Sequence, residues 1–365
     1  MAHDSPQPSH RGLSMRFLHE SLGQRVRFAS GEVADGVAKE LEAIGGRRVM
    51  VVVSPNRGDL ARDVTADIPV ALVHDEVVMH VPVAVAERAR KAAADHGIDA
   101  IVSIGGGSAT GLAKAIAMTT GLPIVAIPTT YAGSEATPVW GLTEGLTKTT
   151  GVDHRVLPRS VVYDAKLTAA LPVDMSVASG LNALAHCVDS MWAPHADPIN
   201  MALAIEGARA LNTALPMVVK DPKGLPGREQ ALYGAYLSAV SFASAGSGLH
   251  HKICHVLGGR YNLPHAPTHA VVLPYVLAFN GPHAPEAERR LAEAFGTRSA
   301  IEGLQTLRMK LGAPRALRDY GFEEWMIRDA AAAIMPAVPD SNPVVVTTDD
   351  LERLLRQAWE GADPG

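Results

Sequence analysis

The stretch AIVSIGGGS, Ala100 to Ser108, decides the fold of this chain. Its first five residues are the small and apolar side chains of a buried strand, and the apolar spacing at 109–119 predicts a helix directly after the glycines. Glycines between a strand and a helix let the backbone approach a phosphate, and the helix N-terminus offers unpaired N–H groups. The motif is neither GxGxxG nor a P-loop, so when it is taken alone a plain tight turn explains it equally well.

Short apolar runs alternate with amphipathic stretches on both sides of this motif. They predict strands at 48–54, 71–74, 123–127 and 161–164, and a helix at 85–96. Strands and helices in alternation indicate a parallel sheet with helices on both faces.

From about residue 172 the chain is rich in Ala, Leu and Met at helical spacing and has few β-branched runs. This pattern favours an all-helical second domain. We therefore predict a Rossmann-like α/β domain at 15–165 that binds a dinucleotide, followed by an all-α domain at 166–365. Residues 1–14 are polar and predict a flexible N-terminal extension.

Composition excludes several classes of protein. The chain has 365 residues and a net charge of −5, which offers no broad basic surface to nucleic acid or an anionic membrane. It has no signal-peptide pattern and no run of about 18 apolar residues, so we expect a cytoplasmic protein without a membrane partner. The two cysteines, Cys187 and Cys254, lie in no CxxC pair, which predicts neither a disulfide framework nor a structural zinc site.

A second loop strengthens the nucleotide hypothesis. Residues 128–135, PTTYAGSE, follow the next predicted strand, and ligands of open α/β sheets lie beyond the carboxyl ends of strands. A loop capped by its own hydroxyl groups is the alternative. Two adjacent loops of this kind favour a nucleotide, and the predicted contacts are Gly105, Gly106, Gly107, Ser108, Thr129, Thr130, Ser134 and Asn56.

The strand that ends at Val53 bears on the choice of cofactor. No acidic residue follows it until Asp59, so no carboxylate is placed to hold a ribose 2′-hydroxyl. Arg57 offers a positive charge to a 2′-phosphate instead. We therefore expect both NADH and NADPH to serve as cofactor.

Histidines gather in the predicted helical half. His251 and His255 lie four residues apart, as do Asn182 and His186, so each pair shares one helix face. A lone histidine is more often structural than functional, but several imidazoles on facing helices favour a polar functional cleft.

The order of these motifs resembles the iron-containing alcohol dehydrogenases. The likeness runs from about residue 17 to the C-terminal helices and includes the glycine turn, the TTYAGSE loop and the NALAH and HKICH segments. It implies a dehydroquinate synthase-like fold with the active site in the cleft between the domains. Metal-dependent members hold the ion with one Asp and three His, and the matching positions here are Asn182, His186, His251 and His265.

The acidic ligand is missing from that set. A neutral amide is a weaker partner for a divalent transition metal than a carboxylate, although three histidines can still bind zinc. We therefore expect no metal cofactor.

Asn182 in GLNALAH, with the segments at 248–259 and 148–151, is similar to the maleylacetate reductases. That resemblance implies metal-independent reduction of the carbon–carbon double bond of maleylacetate to 3-oxoadipate by NADH or NADPH, in bacterial degradation of aromatic compounds.

The resemblance also assigns roles to side chains. Hydride added to the alkene carbon β to the ketone leaves an enolate, and a protonated histidine or lysine can stabilise its charge and supply a proton. The expected catalytic residues are His251, His255, His186, His265 and Lys148. A small dicarboxylate substrate is expected to contact Asn182, His250, Tyr131 and Lys252.

Two other functions stay open on the sequence. A metal-dependent alcohol dehydrogenase that tolerates Asn182 would need iron or zinc. Metal analysis and treatment with a chelator would reveal that need. A non-catalytic nucleotide-binding protein would keep the glycine loops without turnover. Symmetric dimers are the commonest soluble assemblies, so we expect a homodimer.

Overall fold

A six-stranded parallel sheet organises the N-terminal half. The computed structural model describes residues 15–55, 57–145 and 147–364, with Thr147 and Lys148 described by their backbone alone. The strands within these ranges are β1 (Arg25–Phe28), β2 (Val49–Val53), β3 (Val70–His74), β4 (Ala100–Gly105), β5 (Ile124–Pro128), β6 (Val139–Glu144), β7 (Thr147–Val152) and β8 (Ser160–Tyr163). The helices between them are α1 (Val33–Ile44), α2 (Gly58–Val64), α3 (Val83–Asp95) and α4 (Gly107–Thr120).

The strand order across the sheet is β1, β8, β5, β4, β2, β3, and neighbouring strands are parallel. Nearly every residue of β2, β4 and β5 is buried, as expected for central strands covered on both faces. The chain runs from β2 outward to β3 and then returns to β4 on the other side of β2. The carboxyl ends of β2 and β4 therefore flank the topological switch point, where sheets of this kind bind their ligands. The predicted α/β fold is confirmed.

The hairpin β6–β7 was not predicted. Its strands pair antiparallel, with Val139 opposite Val152 and Glu144 opposite Thr147. Most of its residues are Thr, Gly, Lys and Glu, which give none of the apolar alternation that identifies a half-buried strand. The hairpin contacts α4 on one side and the later helix α9 (Leu249–Tyr261) on the other. It thus lies between helices of the α/β half and a helix of the helical half.

The described chain after β8 is helical. Its α-helices are α5 (Ala165–Thr168), α6 (Val173–Ser190), α7 (Pro198–Lys220), α8 (Leu225–Ala245), α9, α10 (His265–Asn280), α11 (Pro285–Phe295), α12 (Ala300–Leu311), α13 (Met326–Ile334) and α14 (Thr348–Glu360). None of the described helices is both long enough and apolar enough to cross a membrane.

Helix α6 lies at the centre of the helical half. It packs against α7, α8, α9 and α10, and its residues 176–190 are all buried. The same hydrophobic core includes Ala126 of β5 and Val161 of β8, so sheet and helices share buried apolar contacts. The domain boundary at 165–166 stays a prediction, and the extension at 1–14 lies outside the described residues.

Candidate active site

The two predicted loops meet at the carboxyl edge of the sheet. The backbone N–H of Thr129 donates to the carbonyl of Gly105 at 3.0 Å. A Cβ on Gly106 would lie 2.9 Å from Thr130 Cγ2, and one on Gly105 would lie 4.0 Å from Ser54 Oγ. The ends of β2, β4 and β5 therefore converge at the switch point, as the two-loop interpretation requires.

The start of α4 suits a phosphate group. Gly106 is its N-cap residue, and no side chain caps the helix there. The N–H groups of a first turn without a cap are available to an anion, and the helix dipole favours negative charge at that end. Gly105, Gly107 and Ser108 border the same turn, which fits a nicotinamide dinucleotide. Of the remaining predicted cofactor contacts, Asn56 lies outside the described residues.

Lys114 of α4 fixes the loop that follows β5. Its fully buried Nζ donates to the carbonyls of Ser134, Thr137 and Val139 at 2.6, 2.7 and 2.8 Å. Burial lowers the pKa of Lys114 to about 7, and the charge of Glu135 opposes that shift. Three carbonyl acceptors match the three N–H groups of an ammonium, so we assign the charged form. This anchor was not predicted, because its partners lie 20 to 25 residues away in the chain.

Histidines from two helices and a phenylalanine from a third come together. The rings of His186 on α6 and His251 on α9 stack with centroids 4.9 Å apart, and Phe242 of α8 contacts both rings. A Cβ on Gly133 would lie 3.5 Å from His186 Cε1, so the loop after β5 reaches the histidines. The nucleotide loops and the imidazoles thus border one region of the molecule.

Asp189 sets the orientation of His251. Its carboxylate Oδ2 accepts from His251 Nδ1 at 2.7 Å and from the backbone N–H of Gly248 at 2.8 Å. Burial raises the pKa of Asp189 to about 6, and the backbone N–H bonds from the start of α9 oppose that shift. We therefore assign a carboxylate at neutral pH. Because Nδ1 carries the proton donated to Asp189, Nε2 of a neutral His251 is an acceptor.

Burial bears on the predicted proton donors. It lowers the pKa of His251 well below the ordinary histidine range, and neighbouring imidazoles add to the effect. Burial also lowers the pKa of His186 to about 4. His255, one turn further along α9, is half-buried, and its ring lies 6.0 Å from that of His251. These two directions count against His186 and His251 as proton donors near neutral pH.

The remaining predicted residues occupy different surroundings. Tyr131 is buried, and its hydroxyl accepts from Arg228 at 2.9 Å. His250 is buried and shares a 2.9 Å hydrogen bond with His269. Lys252 lines a cavity of about 600 Å³ together with His154, His195, Ser244 and Ser247.

Lys148 and His265 lie on two of the elements around this region. The backbone of Lys148 belongs to β7, the hairpin strand that contacts α9, and its side chain is outside the description. His265 begins α10, where it is exposed, with its ring 4.4 Å from that of His269.

The side chains at the family's metal positions do not fit a divalent ion as they stand. Asn182 supplies a neutral amide, and its buried Oδ1 has no hydrogen-bond partner among the described groups. The ligand atoms of His186, His251 and His265 do not come within 4.8 Å of one another as a set. In the described part of the chain, the three-residue group that meets this limit is His250, Cys254 and His269.

Two family descriptions match the chain. The model described as iron-containing alcohol dehydrogenase matches residues 23–165, and the one described as the C-terminal part of the Fe-containing alcohol dehydrogenase family matches residues 176–359. The chain belongs to the iron-containing alcohol dehydrogenase family. It is an oxidoreductase, and the fold expected from the resemblance is confirmed.

Relatives within the family carry a more specific name. The chain is 44% identical over 352 residues to the maleylacetate reductase of Pseudomonas sp. strain P51, with 96% of this chain and 99% of the relative covered. It is 45% identical to maleylacetate reductase 2 of Cupriavidus pinatubonensis, with 93% and 96% covered. These relatives confirm the resemblance to the maleylacetate reductases.

Solved structures agree with this placement. An iron-containing alcohol dehydrogenase from Corynebacterium glutamicum is 61% identical and superposes with a TM-score of 0.95, with 96% of this chain and 99% of that chain covered. The maleylacetate reductase from Agrobacterium tumefaciens is 41% identical with a TM-score of 0.91, and 96% and 100% are covered.

Proposed function

We propose that the chain reduces the carbon–carbon double bond of maleylacetate to 3-oxoadipate, with NADH or NADPH as reductant and no metal at the family's position. The observation that carries this proposal is Asn182, a neutral amide where metal-dependent members have their acidic ligand. The identity to proteins named maleylacetate reductase, 44% over nearly the whole chain, supports the choice of substrate.

The substrate is a dicarboxylate whose double bond is conjugated to a ketone. Bound NADH or NADPH supplies a hydride, which adds to the alkene carbon β to the ketone. The alkene electron pair then moves toward the ketone oxygen and forms an enolate, and the α carbon takes up one proton. Without a metal, hydrogen-bond donors must stabilise the enolate oxygen.

Asn182 is suited to that task. An amide offers N–H donors to a developing oxyanion, whereas a carboxylate without a metal beside it would repel the charge. The side chain is buried on α6, four residues before His186, where little water competes for the hydrogen bond. We assign Asn182 to the enolate oxygen.

The proton comes from His255 in this proposal. His251 is held through Nδ1 by Asp189 and presents Nε2 as an acceptor, so its neutral form has no proton to give at that atom. His255 is half-buried, so water reaches it more readily than it reaches the buried His186 and His251. We assign His251 to orienting the substrate and His255 to protonating the α carbon.

Cations are required for the two carboxylates of the substrate. Lys252 supplies one at the 600 Å³ cavity, where Ser244 and Ser247 add hydroxyl groups. Lys148 is proposed for the other, because β7 contacts α9.

The proposal includes a cytoplasmic homodimer that serves the degradation of aromatic compounds.

Turnover with maleylacetate tests the proposal directly. We expect maleylacetate-dependent oxidation of NADH that persists after brief treatment with a chelator. No oxidation by folded protein would refute the proposed reaction. Activity lost to chelator and regained with iron or zinc would favour the metal-dependent alcohol dehydrogenase.

Replacing Asn182 with Asp sharpens this test. The new carboxylate should raise the affinity for iron or zinc, because it adds the charge that the position lacks. Maleylacetate reduction should fall roughly a hundredfold, since one oxyanion donor has been replaced by a negative charge. Asn212→Asp adds the same charge on α7 and should change neither property. Unchanged turnover in Asn182→Asp would remove the amide from the mechanism.

A further inference from the structure

Three side chains beside the family's metal positions form a compact group of their own. His250 and Cys254 lie one turn apart on α9, and His269 faces them from α10. All three are buried, and their ligand atoms lie within 4.8 Å of one another. His250 Nε2 is 2.9 Å from His269 Nδ1 and 3.6 Å from Cys254 Sγ.

We propose that His250, Cys254 and His269 form a zinc-binding site, separate from the position where metal-dependent relatives hold their ion. Imidazole and thiolate are the ligands that zinc prefers in proteins. Bond lengths of about 2.0 Å to nitrogen and 2.3 Å to sulfur place tetrahedral ligand atoms roughly 3.3 to 3.6 Å apart. The distances around His250 Nε2 need to change by only a few tenths of an ångström to match.

The local charges also favour a divalent cation. Burial and the charge of the buried Asp189 both raise the pKa of the Cys254 thiol, so the thiolate forms only when a cation offsets that charge. When zinc binds, the Cys254 thiol loses its proton, so the ion contributes two positive charges against one each from the thiolate and Asp189. The buried group is then neutral, which avoids the large free-energy penalty of an uncompensated buried charge.

This site was not expected from the sequence. Structural zinc was excluded because neither cysteine lies in a CxxC pair, but the fold assembles the ligands from two packed helices instead. His250 was expected to contact the substrate, but it is fully buried and its Nε2 faces His269 at 2.9 Å. The bound ion would link α9 to α10 through three side chains that have no step in the proposed reaction.

Metal binding without turnover tests the site. Full-length protein is purified, stripped, reloaded with zinc or cobalt, and examined for metal content and for the cobalt absorption spectrum. The test variants are Cys254→Ser and His269→Ala. Cys187→Ser is the matched control, because it removes the other buried cysteine, and His186→Ala removes a ligand position of the family. Thermal unfolding verifies that each variant is folded.

We expect about one zinc ion per chain in the wild type, the Cys187→Ser variant and the His186→Ala variant. Affinity should fall at least tenfold, a minimum of roughly 1.4 kcal/mol, in Cys254→Ser and in His269→Ala. The near-ultraviolet thiolate-to-cobalt band should disappear in Cys254→Ser and should remain in Cys187→Ser. Metal lost in His186→Ala but retained in Cys254→Ser would overturn the site, as would failure of the folded wild type to bind either metal. In the second case, the histidine pair is held by its hydrogen bond alone.

Discussion

The glycine loops on the sheet and the histidine cluster on the helices offer different groups to their ligands. The loops after β4 and β5 offer backbone N–H groups. Their shape depends on residues next to one another in the chain, such as Gly105 and Gly106. The histidines offer side chains from α6, α9 and α10. Their protonation depends on burial and on partners far away in the chain, such as Asp189, which lies 62 residues before His251. Backbone recognition is therefore visible in local sequence, whereas the role of each imidazole depends on the folded structure.

The largest effect is expected in the loops. Gly106→Val should weaken NADH binding at least a hundredfold, about 2.7 kcal/mol, because the new side chain would collide with Thr130 and block backbone approach to the pyrophosphate. Gly23→Val is the control, since a Cβ there meets no atom within 4 Å. Titration of cofactor binding measures the effect. Unchanged affinity in a folded Gly106→Val protein would exclude this turn as the phosphate site.

The next effect concerns Asp189 and separates the two regions. Asp189→Ala should lower kcat by roughly 10- to 100-fold, because His251 loses the partner that fixes its ring and tautomer. The KM for NADH should stay the same, because Asp189 accepts hydrogen bonds from Gly248, His250 and His251 at the start of α9. Asp189→Asn keeps a carbonyl acceptor and should recover part of kcat. Equal losses in kcat and in cofactor affinity would indicate general damage to the structure rather than positioning.

A smaller effect is expected at the cavity that Lys252 lines. Lys252→Ala should raise the KM for maleylacetate about tenfold, the size of one charge-assisted hydrogen bond, with kcat nearly unchanged. Lys223→Ala removes an exposed lysine elsewhere and serves as the control. A KM equal to that of the wild type would place the substrate carboxylates outside this cavity.

The smallest effect is the choice between the two cofactors. NADH and NADPH should differ by less than about tenfold in kcat/KM, or 1.4 kcal/mol, because no acidic residue follows β2 before Asp59. Steady-state kinetics with both cofactors gives the ratio. A preference for NADH above roughly a thousandfold, about 4 kcal/mol, would reveal another group that excludes the 2′-phosphate.

The accuracy of the sequence-based predictions follows the same division. The strand predicted at 123–127 and the helix predicted at 109–119 match β5 and α4 because each carries an apolar pattern of its own. The hairpin β6–β7 carries none and was missed. The role of Asp189 was missed because nothing in the neighbouring sequence shows why a buried helix carries an acidic residue. Its partners at the start of α9 lie about 60 residues further along the chain.

The contact between Asp189 and Gly248 limits how this enzyme can be recombined with its relatives. A Cβ at position 248 would overlap the carboxylate, so a chimaera that brings in α9 with any larger residue there expels Asp189 from its place. The two positions are 59 residues apart, and a crossover between them separates a pair that works only together. Libraries built by segment exchange should therefore keep α6 and the start of α9 from the same parent.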